Sequence, residues 1–125
     1  MPVGMKNAQA RVLGNKIYVG GGTTGMIDMS SKVYVYDYIY DKWETLSTSP
    51  VYNFALEIYD SNIFLIGGRD TVSGEVTGEV FCWNQAERIW KDGVLPSMPT
   101  ARHSASSATY GQYIVVAGGF AVTTP

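Results

Sequence analysis

The sequence predicts an all-β fold built from repeated four-stranded antiparallel units. A glycine pair follows a short apolar run at three places, and these pairs are Gly21-Gly22, Gly67-Gly68 and Gly118-Gly119. The pairs are separated by 46 and 51 residues. Trp90 follows Trp43 by 47 residues, which is one residue more than the first of these spacings. Landmarks that return at a fixed spacing of this size are the signature of a repeated supersecondary unit.

Four strands are expected in the first unit, at Ala8–Leu13, Lys16–Gly20, Lys32–Tyr38 and Lys42–Leu46. These short runs are rich in Val, Ile and Tyr, which favour strands, and clusters of Gly, Asn, Asp and Ser separate them. Gly14-Asn15, between the first two runs, suits a tight hairpin because both residues accept a positive φ.

The second unit repeats this order, with strands expected at Phe54–Tyr59, Ile63–Ile66, Glu79–Trp83 and Ile89–Asp92. Asp60-Ser61-Asn62 supplies its first hairpin turn. The third unit offers only two strands, Ala105–Tyr110 and Gln112–Ala117. The one helix-like window, Gln85–Trp90, is too short to form a helix of consequence.

Composition narrows the classes of function. The chain has 125 residues, a formal net charge of -2, 46% hydrophobic and 16% charged residues, which is typical of a globular protein and not of a disordered one. A mildly acidic, aromatic-rich sequence with 9 basic residues argues against nucleic-acid and membrane-surface partners. The single cysteine, Cys82, excludes an intramolecular disulfide, and a reducing, cytoplasmic location is expected.

No chemical motif predicts catalysis. Residues Gly20–Gly25 fit the dinucleotide pattern G-x-G-x-x-G, but the next strand follows too closely for the helix that must hold the pyrophosphate. His103 is the only histidine, so a histidine metal cluster is excluded and no Ser-His-Asp set is favoured. We therefore expect no enzyme activity, cofactor or metal site within these residues.

The repeat resembles the Kelch repeat. Besides the glycine pairs, the resemblance rests on two aromatic pairs and one joining segment, which are Tyr36/Trp43, Trp83/Trp90 and Met98–Arg102. It implies a β-propeller in which each repeat forms one blade around a central channel. Trp43 and Trp90, which start the fourth strands, are then expected to bury their rings between adjacent sheets.

Under this resemblance the chain holds a first blade at 1–53, a second at 54–102 and the first half of a third at 103–125. The joining segments vary, since Met5 and Val51 stand where the third unit has Arg102. Propellers usually have about four to eight blades, so these blades do not close a ring. A piece of a longer protein, an assembly of chains and an open stack all fit, and we expect self-association or completion by further blades.

Topology and the resemblance together indicate a binding end. In a four-stranded meander, the loop between strands two and three leaves from the same end as the link to the next blade. The long loops Gly22–Ser31 and Gly68–Gly78 therefore lie beside the links, where function concentrates. In some Kelch-like adaptors this end contacts acidic peptides, and the resemblance assigns that role to Arg69, Thr23, Phe120, Arg102, His103 and Ser104. The plain alternative is that Arg69 is only a solvated side chain of its loop, beside Asp70, without a role in binding.

The resemblance to Kelch-like BTB adaptors implies a protein-interaction module that recognises substrates for a cullin-RING ubiquitin ligase. Its expected partner is a protein or peptide of acidic character. Two alternatives stay open at this point. One is an actin-binding propeller, and the other is part of a propeller enzyme whose catalytic residues lie outside the chain.

Overall fold

The computed structural model of the chain describes residues 4–121, which form short β-strands and a single helical turn. The strands are β1 (Gln9–Leu13), β2 (Lys16–Gly20), β3 (Tyr34–Asp37), β4 (Lys42–Thr45), β5 (Val51–Tyr52), β6 (Ala55–Tyr59), β7 (Asn62–Ile66), β8 (Arg69–Asp70), β9 (Val80–Asn84), β10 (Ile89–Lys91), β11 (Ser106–Tyr110) and β12 (Tyr113–Ala117). The helical turn is α1 (Ile27–Ser30). Within the described range, no helix has the length and apolar character needed to cross a membrane.

Two complete antiparallel sheets follow the order of the chain. The first sheet has the order β1-β2-β3-β4, and the second consists of β6, β7, β9 and β10 in sequence. β11 pairs with β12 as a hairpin that begins the third unit. The all-β class and the repeated meander are thereby confirmed. A further two-stranded ribbon, β5 with β8, is not predicted by the sequence because two-residue strands carry no alternation.

The helix-like window Gln85–Trp90 forms no helix, as expected, and the one helical turn of residues 4–121 lies elsewhere. Gln85–Trp90 holds a hairpin turn followed by β10, and the carbonyl of Asn84 accepts the N–H of Arg88 (2.7 Å) across that turn. α1 lies instead in the loop after the first glycine pair, where the hydroxyl of Ser30 donates to the carbonyl of Met26 (2.9 Å). Hydrogen bonds between residues close in sequence stabilise this turn. Such bonds require no periodic pattern of apolar residues, so the sequence gives no sign of the turn.

One face of the second sheet packs against the first unit. Leu56, Leu65 and Phe81 are aligned across β6, β7 and β9, so their side chains project from the same face. All three are buried in one cluster with Val33 and Val35 of the first unit. This apolar cluster is the core between the first two units.

The opposite face of the second sheet packs against the third unit. Ala55, Ile66 and Val80 form the neighbouring aligned row, and all three are buried. Ile114 and Val116 of β12 pack against this row. The second sheet is therefore apolar on both faces, and its stability requires a neighbour on each side.

The glycine pairs lie where the backbones of adjacent units come closest. A Cβ on Gly21 would lie 2.5 Å from the carbonyl oxygen of Phe54, and one on Gly67 would lie 2.5 Å from that of Arg102. Both carbonyls belong to the segment that leads into the next unit. The first glycine of these two pairs thus allows a contact that any side chain would prevent.

The two equivalent tryptophans are buried to different degrees. Trp90 is half-buried against the core between the first two units, and its Nε1 donates to the carbonyl of Ser47 (2.9 Å) in the first unit. Trp43 contacts Tyr36 at a ring-centroid distance of 5.0 Å but is 39% exposed. The expectation that both rings are buried between sheets is therefore wrong for Trp43. Trp90 packs against a preceding unit, and no such unit precedes Trp43 within residues 4–121.

Gly67→Ala is expected to destabilise the fold far more than Gly74→Ala. Both glycines have a positive φ, 68° and 74°, so both variants carry the left-handed strain of about 1–2 kcal/mol. Only at Gly67 does the new Cβ meet a carbonyl oxygen, that of Arg102, while nothing lies within 4 Å of a Cβ on Gly74. Urea unfolding of the two variants measures the difference, and equal midpoints would contradict the close approach.

Trp90→Ala is expected to lower the free energy of unfolding more than Trp43→Ala. Truncation of a buried large aromatic costs about 3–5 kcal/mol, and the half-buried Trp90 is expected near the lower end. The exposed Trp43 is expected to cost about 1 kcal/mol, as an average substitution does. Thermal unfolding of both variants beside the parent chain gives the order. A larger loss at Trp43 would show that its ring is covered in solution.

Candidate functional site

The loop after β7 and the link between β10 and β11 meet at one end of the molecule. The N–H of Gly68 donates to the carbonyl of Arg102 (2.9 Å), and the N–H of Met98 donates to the carbonyl of Gly78 (2.8 Å). The meander topology thus brings this loop and this link together as expected. We call the residues gathered there the mouth, and they are Arg69, Arg102, His103, Ser104 and Phe120.

The residue after each glycine pair occupies an equivalent position in its unit. Each one pairs antiparallel with a residue of the link that precedes the same unit, and these pairs are Thr23 with Lys6, Arg69 with Tyr52, and Phe120 with His103. Left-handed backbone follows one residue later in each link, with φ of 59°, 55° and 57° at Asn7, Asn53 and Ser104. The structure therefore gives Thr23, Arg69 and Phe120 the equivalent positions that the repeat alignment predicts.

Arg69 and His103 meet through their side chains. Arg69 Nη2 lies 3.4 Å from His103 Nε2, and Arg69 Nη1 donates to the carbonyl of Gly74 (2.8 Å). A guanidinium only donates hydrogen bonds, so Nε2 accepts and the ring proton belongs on Nδ1. Nδ1 lies 2.9 Å from the hydroxyl of Ser104, to which it donates. The guanidinium is thus fixed on two sides.

The surroundings of His103 disfavour its charged form. Burial, and then the positive charge of Arg69, lower the pKa of His103 from its usual value of 6.5. Phe120 stacks on the imidazole with ring centroids 5.3 Å apart, and Phe120 is itself 66% exposed. At neutral pH the mouth therefore presents a fixed cation, a neutral imidazole and an exposed aromatic ring.

Neither arginine of the mouth forms an ion pair with a carboxylate of residues 4–121. The ion pairs of this range join other side chains, outside the mouth. The carboxylate of Asp70, beside Arg69 in the chain, accepts the N–H groups of Ser73 (2.9 Å) and Val72 (2.8 Å). These backbone hydrogen bonds hold the pKa of Asp70 below its usual value. The described range also lacks a group of three His, Cys, Asp or Glu side chains suited to a metal ion.

Arg102 lies at the edge of the mouth, and Thr23 lies outside it. Arg102 Nη1 donates to the carbonyl of Gly118 (3.0 Å), which positions its guanidinium beside the third glycine pair. Thr23 belongs to the first unit, where it lines a cavity of about 420 Å³ together with Asn53 and Ser104. The structure thus joins Arg69, His103, Ser104 and Phe120 by direct contact, and Thr23 only through this cavity.

No motif predicts the polar network that joins the first strands of all three units. Arg11 Nε lies 3.2 and 3.3 Å from the two carboxylate oxygens of Glu57, and Arg11 Nη2 donates to the carbonyl of Ser107 (2.9 Å). The hydroxyl of Ser107 donates to Glu57 (2.9 Å) as well. In the sequence, this network corresponds only to the opposite charges of Arg11 and Glu57, which lie 46 residues, or one repeat, apart.

Comparison with known proteins places these features in a family. Residues 5–50 match the sequence model of the Kelch motif. The Kelch-like protein terF of Aspergillus terreus is 30% identical over 95% of this chain and 28% of its own length. Kelch repeat and BTB domain-containing protein 2 of cowpox virus is 30% identical over 90% of this chain and 20% of its own length. N-acetylneuraminate epimerase 1 of Escherichia coli is 35% identical over 61% of this chain and 20% of its own length.

A solved structure shows the same fold. The structure of YjhT matches 94% of this chain with a TM-score of 0.75 at 20% sequence identity, and the match covers 34% of that chain. The chain thus spans about a third or less of the proteins compared. The glycine pairs, the meander and these matches agree, so the chain is built of Kelch repeats, and its four-stranded units have the fold of Kelch propeller blades.

Proposed function

We propose that the chain is a protein-interaction module whose mouth recognises an acidic segment of a partner protein. One observation carries the proposal: the guanidinium of Arg69 is fixed at the mouth by Gly74 and His103, and no carboxylate of residues 4–121 pairs with it. A fixed positive charge on a rigid scaffold attracts and orients anionic groups.

The arrangement suits a carboxylate that stands next to an apolar group. Arg69 uses one N–H for Gly74 and one for His103, and a guanidinium has five. The remaining N–H groups are donors for a carboxylate, which a planar guanidinium holds through two parallel hydrogen bonds. Phe120, exposed beside them, offers an apolar surface for the neighbouring side chain of the ligand.

The relatives that carry Kelch repeats and a BTB domain support a finer proposal. In it the chain recognises substrates as part of a larger adaptor of a ubiquitin ligase. The contact with the ligase is then made by another part of that protein, since the chain spans 20% of the cowpox relative. We assign this role to the cytoplasm, whose reducing conditions suit the free thiol of Cys82.

An acidic sugar is the second candidate ligand, favoured by the relative named for N-acetylneuraminate. Such a sugar also presents a carboxylate, which the guanidinium of Arg69 would hold in the same way. We propose binding and not catalysis in this chain. Within residues 4–121 the side-chain hydrogen bonds of His103 go to Arg69 and Ser104 and not to a carboxylate, so the ring lacks the acidic partner that orients a catalytic histidine.

Arg69→Glu is expected to abolish binding of a glutamate-rich peptide while leaving the unfolding midpoint near that of the parent chain. The change removes the donors and places a negative charge against the ligand, and loss of a desolvated charge pair costs about 2–5 kcal/mol. Fluorescence anisotropy of a labelled peptide with blocked ends measures the affinity. A matching glutamine peptide reports binding that needs no charge.

Lys42→Glu is the matched control for this experiment. It makes the same change of charge at an exposed position of β4 in the first unit, away from the mouth. The control is expected to bind the glutamate peptide as the parent does. Equal binding by the Arg69 and Lys42 variants would contradict the proposed site, whereas displacement of the peptide by N-acetylneuraminate would favour the acidic-sugar candidate.

We also propose that the uncovered faces of the end units associate with further blades or with a second copy of the chain. Tyr113 and Val115 of β12 are 69% and 51% exposed, and Trp43 is exposed on the first unit. Apolar surface and an open strand edge of this kind promote association. Light scattering over a concentration series is expected to show a mass that rises with concentration, and a constant monomer mass would contradict this.

A further inference from the structure

His103 combines two properties that a proton-responsive binding residue needs. Its Nε2 accepts a hydrogen bond from Arg69 (3.4 Å) and its Nδ1 faces the hydroxyl of Ser104 (2.9 Å), so the ring is held in the neutral form at the centre of the mouth. The ring is also only half-buried, with Phe120 covering it on one side. A ligand that reaches Arg69 therefore also reaches the imidazole.

The charged groups on the elements around His103 are two arginines and two carboxylates. Arg69 lies on β8, and Arg102 precedes His103 in the link. Asp70 directs its carboxylate to the N–H groups of its own loop. Glu75 lies in that loop, and its carbonyl accepts the N–H of Asp70 (2.8 Å). Neither Asp70 nor Glu75 forms an ion pair within residues 4–121.

We infer that His103 couples ligand binding at the mouth to proton uptake, so that a carboxylate ligand binds more tightly in mildly acidic solution. In the free protein the imidazole is neutral and accepts from Arg69. When a carboxylate is held by the remaining N–H groups of Arg69, Nε2 of the neighbouring imidazole takes one proton from solvent, stops accepting from Arg69 and donates to the carboxylate instead. The inference rests on the proposed function because it requires an acidic ligand.

The direction of the effect follows from linkage. Burial and Arg69 lower the pKa of His103 in the free protein. A bound carboxylate offsets the charge of Arg69 and stabilises the imidazolium, so the pKa of His103 is higher in the complex. Affinity then rises as the pH falls from the pKa of the complex to that of the free protein. It is constant outside this window, and each unit between the two values gives about a tenfold change.

The test uses the chain as it is, with a glutamate-rich peptide whose ends are blocked, between pH 8 and pH 5.5. The peptide carboxylates stay ionised over this range because their ordinary pKa is about 4.3. Calorimetry in two buffers of different ionisation enthalpy counts the protons taken up on binding. Since the chain has 1 histidine, its imidazole NMR signals report the pKa of His103 directly, with and without peptide.

The expected result is an affinity about tenfold higher at pH 5.5 than at pH 8, with proton uptake and a pKa of His103 that rises on binding. His103→Gln, whose amide still accepts and donates but does not titrate, is expected to give an affinity that does not change with pH. A titration shift of His103 in the parent chain tests the inference even if this variant fails to fold.

The outcomes separate the inference from the proposal beneath it. Peptide binding of equal strength at both pH values, with an unchanged pKa of His103, overturns the inference and leaves the proposed function intact. Absence of binding at both pH values, in a chain that unfolds cooperatively, overturns the proposed function itself. Tighter binding in acid that persists in His103→Gln assigns the proton to another group and also overturns the inference.

Discussion

The fold depends on the close approach between the glycine pair of one unit and the backbone that leads into the next. Gly21 and Gly67 have no space for a side chain, because the carbonyl oxygens of Phe54 and Arg102 lie beside them. The N–H of Gly68 donates to that same Arg102 carbonyl, which satisfies polar groups that burial would otherwise leave unpaired. This contact sets the distance between adjacent units, and the apolar rows of the second sheet are buried only at that distance.

The network of Arg11, Glu57 and Ser107 constrains how adjacent units are oriented relative to one another. The Glu57 side chain is 6% exposed, and a carboxylate buried to this degree is tolerated only when it is paired and hydrogen-bonded. It receives hydrogen bonds from Arg11 in the first unit, from Ser107 in the third and from the N–H of Ile58 in its own strand. Rotating one unit against the next would break these bonds, whereas apolar contacts alone tolerate small rotations. The network therefore specifies how the three units are oriented.

Local patterns explain what the sequence predicts well. β2 coincides with the expected strand, and the other predicted strands differ by one or two residues at their ends, since alternation and turn residues act over short distances. The repeat spacing likewise places Arg69 and Phe120 at equivalent positions. The unexpected features come from contacts between units. The exposure of Trp43, the pairing of Arg11 with Glu57 and the ribbon of β5 and β8 each depend on which element lies opposite, and a repeat alignment does not contain that information.

The mouth is itself a product of contacts between units. Arg69 belongs to the second unit, His103 lies in the link that follows it, and Phe120 follows the third glycine pair. The N–H of Ser104 donates to the carbonyl of Asn53 (2.8 Å), which holds this link against the one before it. The distance between the guanidinium and the imidazole is therefore set by how the units stack. By linkage, a ligand that binds both groups favours the stacked arrangement over any looser one. Under the proposed function, ligand binding at the mouth and the packing of one unit on the next are therefore thermodynamically coupled, and each stabilises the other.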